Sequence, residues 1–219
     1  MTQLIAEELL LLVYRLDGTA YGKTMELDKA LGGALLIELA LDGRVDLVDK
    51  RLRPAAETAQ RPAHPELDQA LALVEAKPRL PKQLVDKLSV GVRRRLSLGL
   101  VEAGVLTDES SRVLGIFPWR RYPVADPAPR EDALRRLRAV VIEGAEPDPR
   151  TAALATLILA AGFTKRIFPG EDQRAVKARL RELAKGDWAA EAVRKAVQAA
   201  QGAMMAAAAG AAAAGAAGS

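Results

Sequence analysis

Hydrophobic spacing changes character along this chain, and each change marks an element. Leu4, Ile5, Leu9, Leu12, Val13 and Leu16 recur near helical spacing, which predicts a helix over residues 3–16. Asp17-Gly18 ends it as a turn. Residues 25–31 predict a short helix that leads into LGGALLIELALDGR at 31–44. There the apolar residues fall on every face. A helix that is apolar all round belongs inside a core, so 31–42 predicts a central helix with others wrapped around it. Leu35, Leu36, Ile37, Leu39 and Leu41 are all expected to be buried. Glu38 is the one charge within that run, and Gly43 stands where a left-handed cap would close it.

Residues 44–55 alternate weakly and predict a small strand pair. The proline-rich stretch 53–65 reads as a loop, and its His64 as a solvated side chain. Helix resumes over 67–76. Pro81 sits at a first helical position. Leu84, Leu88, Val92, Leu96 and Leu100 then repeat every four residues, which predicts one long helix closed by Gly104. SRVLGIFPWRRYP at 111–123 mixes β-branched and aromatic residues around Gly115 and Pro118, and reads as a hairpin or an extended loop. Further helices are predicted over 131–141, from Asp148-Pro149 through TAALATLILAAGF, over 171–185 and over 187–202. The fold class is mainly α: a helical bundle around a central apolar helix, with a small β-hairpin. It forms one domain over 1–202, followed by a low-complexity Ala/Gly tail at 203–219.

Composition narrows the chemistry. With 219 residues the chain can bury a sizeable core, and at 4% aromatics that core must be Leu, Val and Ala. The absence of cysteine excludes disulfides, thiolate zinc sites and cysteine nucleophiles, and suits a reducing cytosol. Glu7 and Glu8 interrupt the N-terminal apolar run, so it does not read as a secretory signal. The uncharged stretch after Lys195 is mostly Ala and Gly, which gain little in hydrocarbon, so it does not read as a membrane span. No nucleophile, phosphate-loop or metal-ligand pattern occurs, and no catalytic residue, metal or cofactor is expected. Glu7, Glu8 and Glu38 are placed to approach one another inside the bundle. For Glu38 a structural acid, held by a backbone amide or an Arg, is preferred over catalysis.

The net charge of +4 is unevenly spread. Lys77, Arg79, Lys82, Lys87, Arg93, Arg94 and Arg95 face a single acid, Asp86, within one stretch. On the predicted long helix Lys87 and Arg94 share a face away from the leucine stripe, with Arg93 to one side. Arg112, Arg120 and Arg121 flank an apolar segment holding Leu114, Ile116, Phe117 and Trp119. Apolar tips flanked by cations suit a membrane interface, where Trp sits at head-group depth. The expected partner is therefore an anionic phospholipid surface, with Arg93, Arg94 and Lys87 at the head groups and Leu114, Ile116, Phe117 and Trp119 in the bilayer. The same tip would also serve as a homo-oligomer contact, or fold back to cap the bundle. The alternative function is a cytosolic scaffold whose basic face binds an acidic protein or nucleic acid. Nucleic acid is disfavoured, because the Arg triplet lies in mid-helix and a DNA-binding wing is normally polar.

AEELLLLVY (6–14), ALGGALLIELALDGR (30–44), LDQAL (67–71), VRRRLSLGLVEAGVL (92–106) and DPRTAALATLILAAG (148–162) occur in an order that resembles the Golgi phosphoprotein 3 family. The likeness covers most of residues 1–200. It implies a helical domain around one apolar helix, a projecting hairpin near 109–120, and a peripheral membrane protein that binds phosphatidylinositol 4-phosphate. It also implies a lipid pocket of one Trp and three Arg, whose positions fall on Lys23, Gly32, Val90 and Arg93. Arg93 alone is kept, with Lys87, Arg94 and Lys23 as substitute charge. The Arg- and Ala-rich, Lys-poor composition is similar to that of a bacterial protein. The expected location is cytoplasmic, with reversible membrane association.

Overall fold

A computed structural model describes residues 3–19, 24–56, 60–113 and 117–185, with the isolated positions 198 and 202; for 110–113 and 117–120 it describes the backbone alone. Apart from positions 198 and 202, the predicted helix over 187–202 lies outside the described residues, as do the tail at 203–219, Lys23, Leu114 and Ile116.

Helix α1 (Ile5–Val13) is buried along its whole length. Helix α2 (Thr24–Leu41) joins the two helices predicted for this stretch into one. It runs without a break through Gly32, whose missing side chain has a packing reason. A Cβ there would lie 3.0 Å from the Val85 carbonyl oxygen and 3.1 Å from the Ser89 nitrogen, so glycine lets α4 approach closely. Gly43, at φ +65°, closes α2: the Arg44 N–H donates to Leu39 O and the Gly43 N–H to Ala40 O, which satisfies the terminal carbonyls. Around α2 pack α1, α3 (Pro65–Ala76), α4 (Pro81–Leu88), α5 (Val92–Glu102) and α7 (Pro149–Ala160). Leu35, Leu36, Ile37 and Leu39 are buried as expected. Leu41, in the last turn, is only partly buried, because the chain leaves the core there.

The strand pair is present as β1 (Val45–Val48) and β2 (Arg51–Pro54), antiparallel, with Val48 opposite Arg51. Asp49 and Lys50 both take positive φ, as a two-residue hairpin turn requires. The second hairpin pairs β3 (Glu109–Val113) with β4 (Phe117–Arg121), Glu109 opposite Arg121 and Val113 opposite Phe117.

The one long helix predicted beyond Pro81 is two. Gly91, at φ +67°, turns the chain between α4 and α5. The leucine stripe survives the break: Leu84, Leu88, Val92, Leu96 and Leu100 are all buried. The core demands an apolar residue every turn on both sides of the bend, so spacing alone cannot reveal the bend.

His64 is not a solvated side chain. Its Nδ1 accepts from the Glu66 N–H at 3.2 Å and caps α3, while Nε2 lies 3.3 Å from a carboxylate oxygen of the buried Glu7. Beyond the hairpin come α6 (Ala128–Val141), α7, the four-residue α8 (Thr164–Ile167), which periodicity missed, and α9 (Gln173–Leu183).

Asp148 caps α7 by accepting from the Arg150 and Thr151 N–H groups at 2.9 and 3.0 Å. Burial opposes ionisation of this carboxyl, but the hydroxyl and amide of Thr151 and the amide of Arg150 outweigh it and hold its pKa below the ordinary 3.8. A lowered carboxylate pKa adds stability above the unfolded value and loses it as pH falls through the folded one. Asp148→Ala should therefore cost about 1 kcal/mol at neutral pH. In denaturant titrations the gap from the parent should close only as the pH drops below the ordinary aspartate range. A gap that persists there would mean that the carboxylate's charge is irrelevant to the cap.

Candidate functional site

A cleft of about 290 Å³ opens where the end of α1, the start of α2 and the α4–α5 turn meet. Tyr14, Gly18, Asp28, Gly91, Arg93, Arg94 and Tyr122 line it. The fold explains why such distant residues converge. The Tyr122 N–H donates to Gly18 O at 3.3 Å and the Val124 N–H to Leu16 O at 3.1 Å, which ties the base of the β3–β4 hairpin to the turn after α1. Gly18, at φ +77°, has no room for a side chain: a Cβ would fall 2.3 Å from backbone atoms of Tyr122 and Pro123. The hairpin therefore rises from the rim of the cleft.

The Arg triplet at the start of α5 divides into three roles. Arg95 turns to α3 and pairs with Glu66 through Nε at 2.8 and 3.0 Å. Arg93 stays in the cleft, with Nε 2.5 Å from Asp28 Oδ1. Arg94 is exposed at the cleft and forms no ion pair with another described residue. Burial pushes the Tyr14 phenol above its ordinary pKa, so it remains an O–H donor at neutral pH. The arrangement offers two guanidinium groups and a phenol to an oxyanion, which suits the planar fork of Arg. Asp28 already occupies one fork, so an anion must take Arg93 from it.

The other predicted head-group residue stands apart. Lys87 is exposed in the last turn of α4 and does not line the cleft, because the bend at Gly91 puts it on a different helix from Arg94. Elsewhere in the basic run Arg79 serves the fold by donating to the carbonyls of Leu73 and Lys77, and the run's one acid, Asp86, is taken by Lys29 of α2 at 2.6 Å. In the hairpin, Phe117 and Trp119 lie on β4, opposite Val113 and Ser111, but their side chains fall outside the description, as do those of Arg112 and Arg120. Arg121 pairs with Glu109 at 2.8 Å. Asp28, Tyr14 and Tyr122 escaped sequence reasoning. Tyr14 follows a helix that is buried along its whole length and carried the one available signal: a phenol at the end of a buried element.

Of the pocket positions implied by the family likeness, Gly32 is buried between α2 and α4 and leaves no space for a cation, and Val90 is exposed at the α4–α5 turn. The three acids near the start of the bundle each take a partner. Glu7 accepts from the Leu4 N–H and faces His64; Glu8 takes Arg136 at 2.7 Å; Glu38 accepts from the Ile5 N–H at 2.7 Å and also pairs with Arg150. Both structural alternatives for Glu38 thus hold at once.

Helices packed round one buried apolar helix, with an antiparallel hairpin at the edge of a basic cleft, place the chain among mainly helical proteins of one architecture. The family model for Golgi phosphoprotein 3 (GPP34) matches residues 5–200, and the chain belongs to that family. It is also 32% identical over 136 residues to vacuolar protein sorting-associated protein 74 of Eremothecium gossypii. That match takes in 52% of this chain and spans only 41% of the length of that relative. Among the described residues no helix is long and apolar enough to cross a membrane.

Proposed function

We propose that the protein docks reversibly, from the cytoplasmic side, on membranes that carry anionic phospholipid. Arg93 and Arg94 take the head-group phosphate in the cleft, Lys87 adds charge beside it, and Leu114, Ile116, Phe117 and Trp119 bring the hairpin into the bilayer. The observation that carries this reading is the position of the cleft: two arginines and two phenols open beside the base of an apolar hairpin. Family membership supports phosphatidylinositol 4-phosphate as the preferred lipid. Gly32 and Val90 stand where two further arginines are implied, so the charge that reads the head group is concentrated on Arg93 and Arg94.

Each cation near an anionic surface contributes about 1 kcal/mol of attraction. Arg93→Ala together with Arg94→Ala should weaken sedimentation with vesicles of phosphatidylcholine and phosphatidylinositol 4-phosphate by about tenfold or more at low salt. Asp28→Asn should act in the opposite sense, because it frees Arg93. Vesicles of phosphatidylcholine with phosphatidylglycerol distinguish head-group recognition from charge alone. If the double substitution leaves binding to both vesicle types unchanged, the cleft is not the lipid site.

A further inference from the structure

We infer that Leu16, Met25 and Val90 form an apolar rim around the cleft that enters an anionic membrane surface independently of the hairpin. The inference rests on the membrane reading above and goes beyond it, because it assigns bilayer contact to three further elements. The three side chains are exposed by 60%, 56% and 72%, against a core whose leucines are almost wholly covered. Each flanks a residue that lines the cleft. Leu16 stands two positions before Gly18, in the turn after α1. Met25 lies one helical turn before Asp28, at the start of α2. Val90 immediately precedes Gly91 in the α4–α5 turn. None of the three contributes to the core cluster, and each sits at a turn or helix start, where a polar residue would satisfy the backbone equally well.

The charges between these tips decide what the rim fits. Arg94 adjoins the cleft, and Lys87 accepts the Val90 N–H through its carbonyl at 3.4 Å, which keeps its exposed side chain in the same turn. Of the four acids near the rim, Asp17 is engaged by the amide and hydroxyl of Thr19, Asp28 by Arg93 and Asp86 by Lys29, while Glu26, next to Met25, forms no ion pair with another described residue and leaves Arg94 and Lys87 in excess. A protein partner needs a continuous apolar centre largely free of charge. Three separate tips with cations between them do not supply one. A lipid surface accepts them, since each tip enters the interface alone while Arg and Lys reach the phosphates beside it.

The absence of cysteine makes a direct test simple. Leu16→Cys, Met25→Cys and Val90→Cys each create a single site for an environment-sensitive fluorophore. Glu182→Cys, on α9 with a side chain 68% exposed, serves as the control. On addition of phosphatidylcholine vesicles containing phosphatidylglycerol, the three rim labels should shift to the blue, brighten several-fold and be quenched by spin-labelled acyl chains. The Glu182 label should not change. Unchanged rim labels on protein that still sediments with the vesicles would overturn the rim and leave the membrane reading standing. Protein that fails to sediment with any anionic vesicle would overturn both. As a second measurement, Leu16→Ser with Val90→Ser should weaken vesicle binding several-fold at an unchanged melting temperature. An undiminished affinity with the melting point preserved would likewise reject the rim.

Discussion

Arg150→Ala should destabilise the protein by about 3–5 kcal/mol, the usual loss when one member of a buried ion pair is removed. The guanidinium of Arg150 pairs with Glu38 and also donates to Gln3 O at 2.6 Å. The Glu38 side chain is 3% exposed, in the middle of the helix on which the bundle is built. Without Arg150 its one remaining partner among the described residues is the Ile5 N–H, and one amide does not offset the desolvation of a carboxylate. Glu38→Gln keeps an oxygen for Ile5 and removes the charge. The double variant Glu38→Gln with Arg150→Ala should therefore regain much of what Arg150→Ala alone loses. Denaturant midpoints measured on the four proteins of this cycle test the claim. If the two losses simply add, or if Arg150→Ala costs under about 1 kcal/mol, the pair does not anchor α1 and α7 to α2.

Leu36→Ala should cost about 2–5 kcal/mol, because α2 is surrounded and its neighbours cannot collapse freely into the space left behind. Leu36 is 2% exposed, and α1, α3, α4, α5 and α7 all pack on its helix. Leu41, partly buried at the end of the same helix, provides the comparison: truncation there should cost clearly less, since water already reaches one side. Thermal and denaturant unfolding of the two variants measure the difference. Equal losses at the two positions, or a loss below about 0.5 kcal/mol for Leu36, would remove α2 from the centre of the fold.

Local pattern was sufficient for the architecture and for most of the elements, though not for the continuity of α2, the break between α4 and α5, or the short α8. The all-round apolar run at 31–42 identified the central helix, because no other environment tolerates such a surface. Weak alternation at 44–55 identified the first hairpin, since period-two spacing is a property of neighbouring residues alone, whereas the β-branched and aromatic residues at 111–123 left a hairpin and an extended loop both open. The likeness at 6–14, 30–44, 92–106 and 148–162 reached the family. Arg93 and Arg94 were recognised as candidates by charge density, which is also a local quantity.

Only the tertiary structure decided how these pieces meet. Glu38 and Arg150 are 112 residues apart, and nothing near either of them announces the other. Arg93 and Asp28 are separated by 65 residues, and their pairing turns a free cation into a contested one. Arg95 and Arg94, adjacent in sequence, part because Glu66 lies within reach of only one of them. The bend at Gly91 keeps the leucine stripe in register and removes Lys87 from the face of Arg94, since a break in helix direction need not break the order of buried positions. His64 became a helix cap because α1 delivers the buried Glu7 to its second nitrogen. Periodicity records which face of a segment meets the core. The partner that a polar atom finds there depends on the packing of all the segments together, so most of the elements are determined by the sequence taken locally, whereas the break at Gly91, the cleft, its rim and the buried ion pairs are determined by the assembled fold.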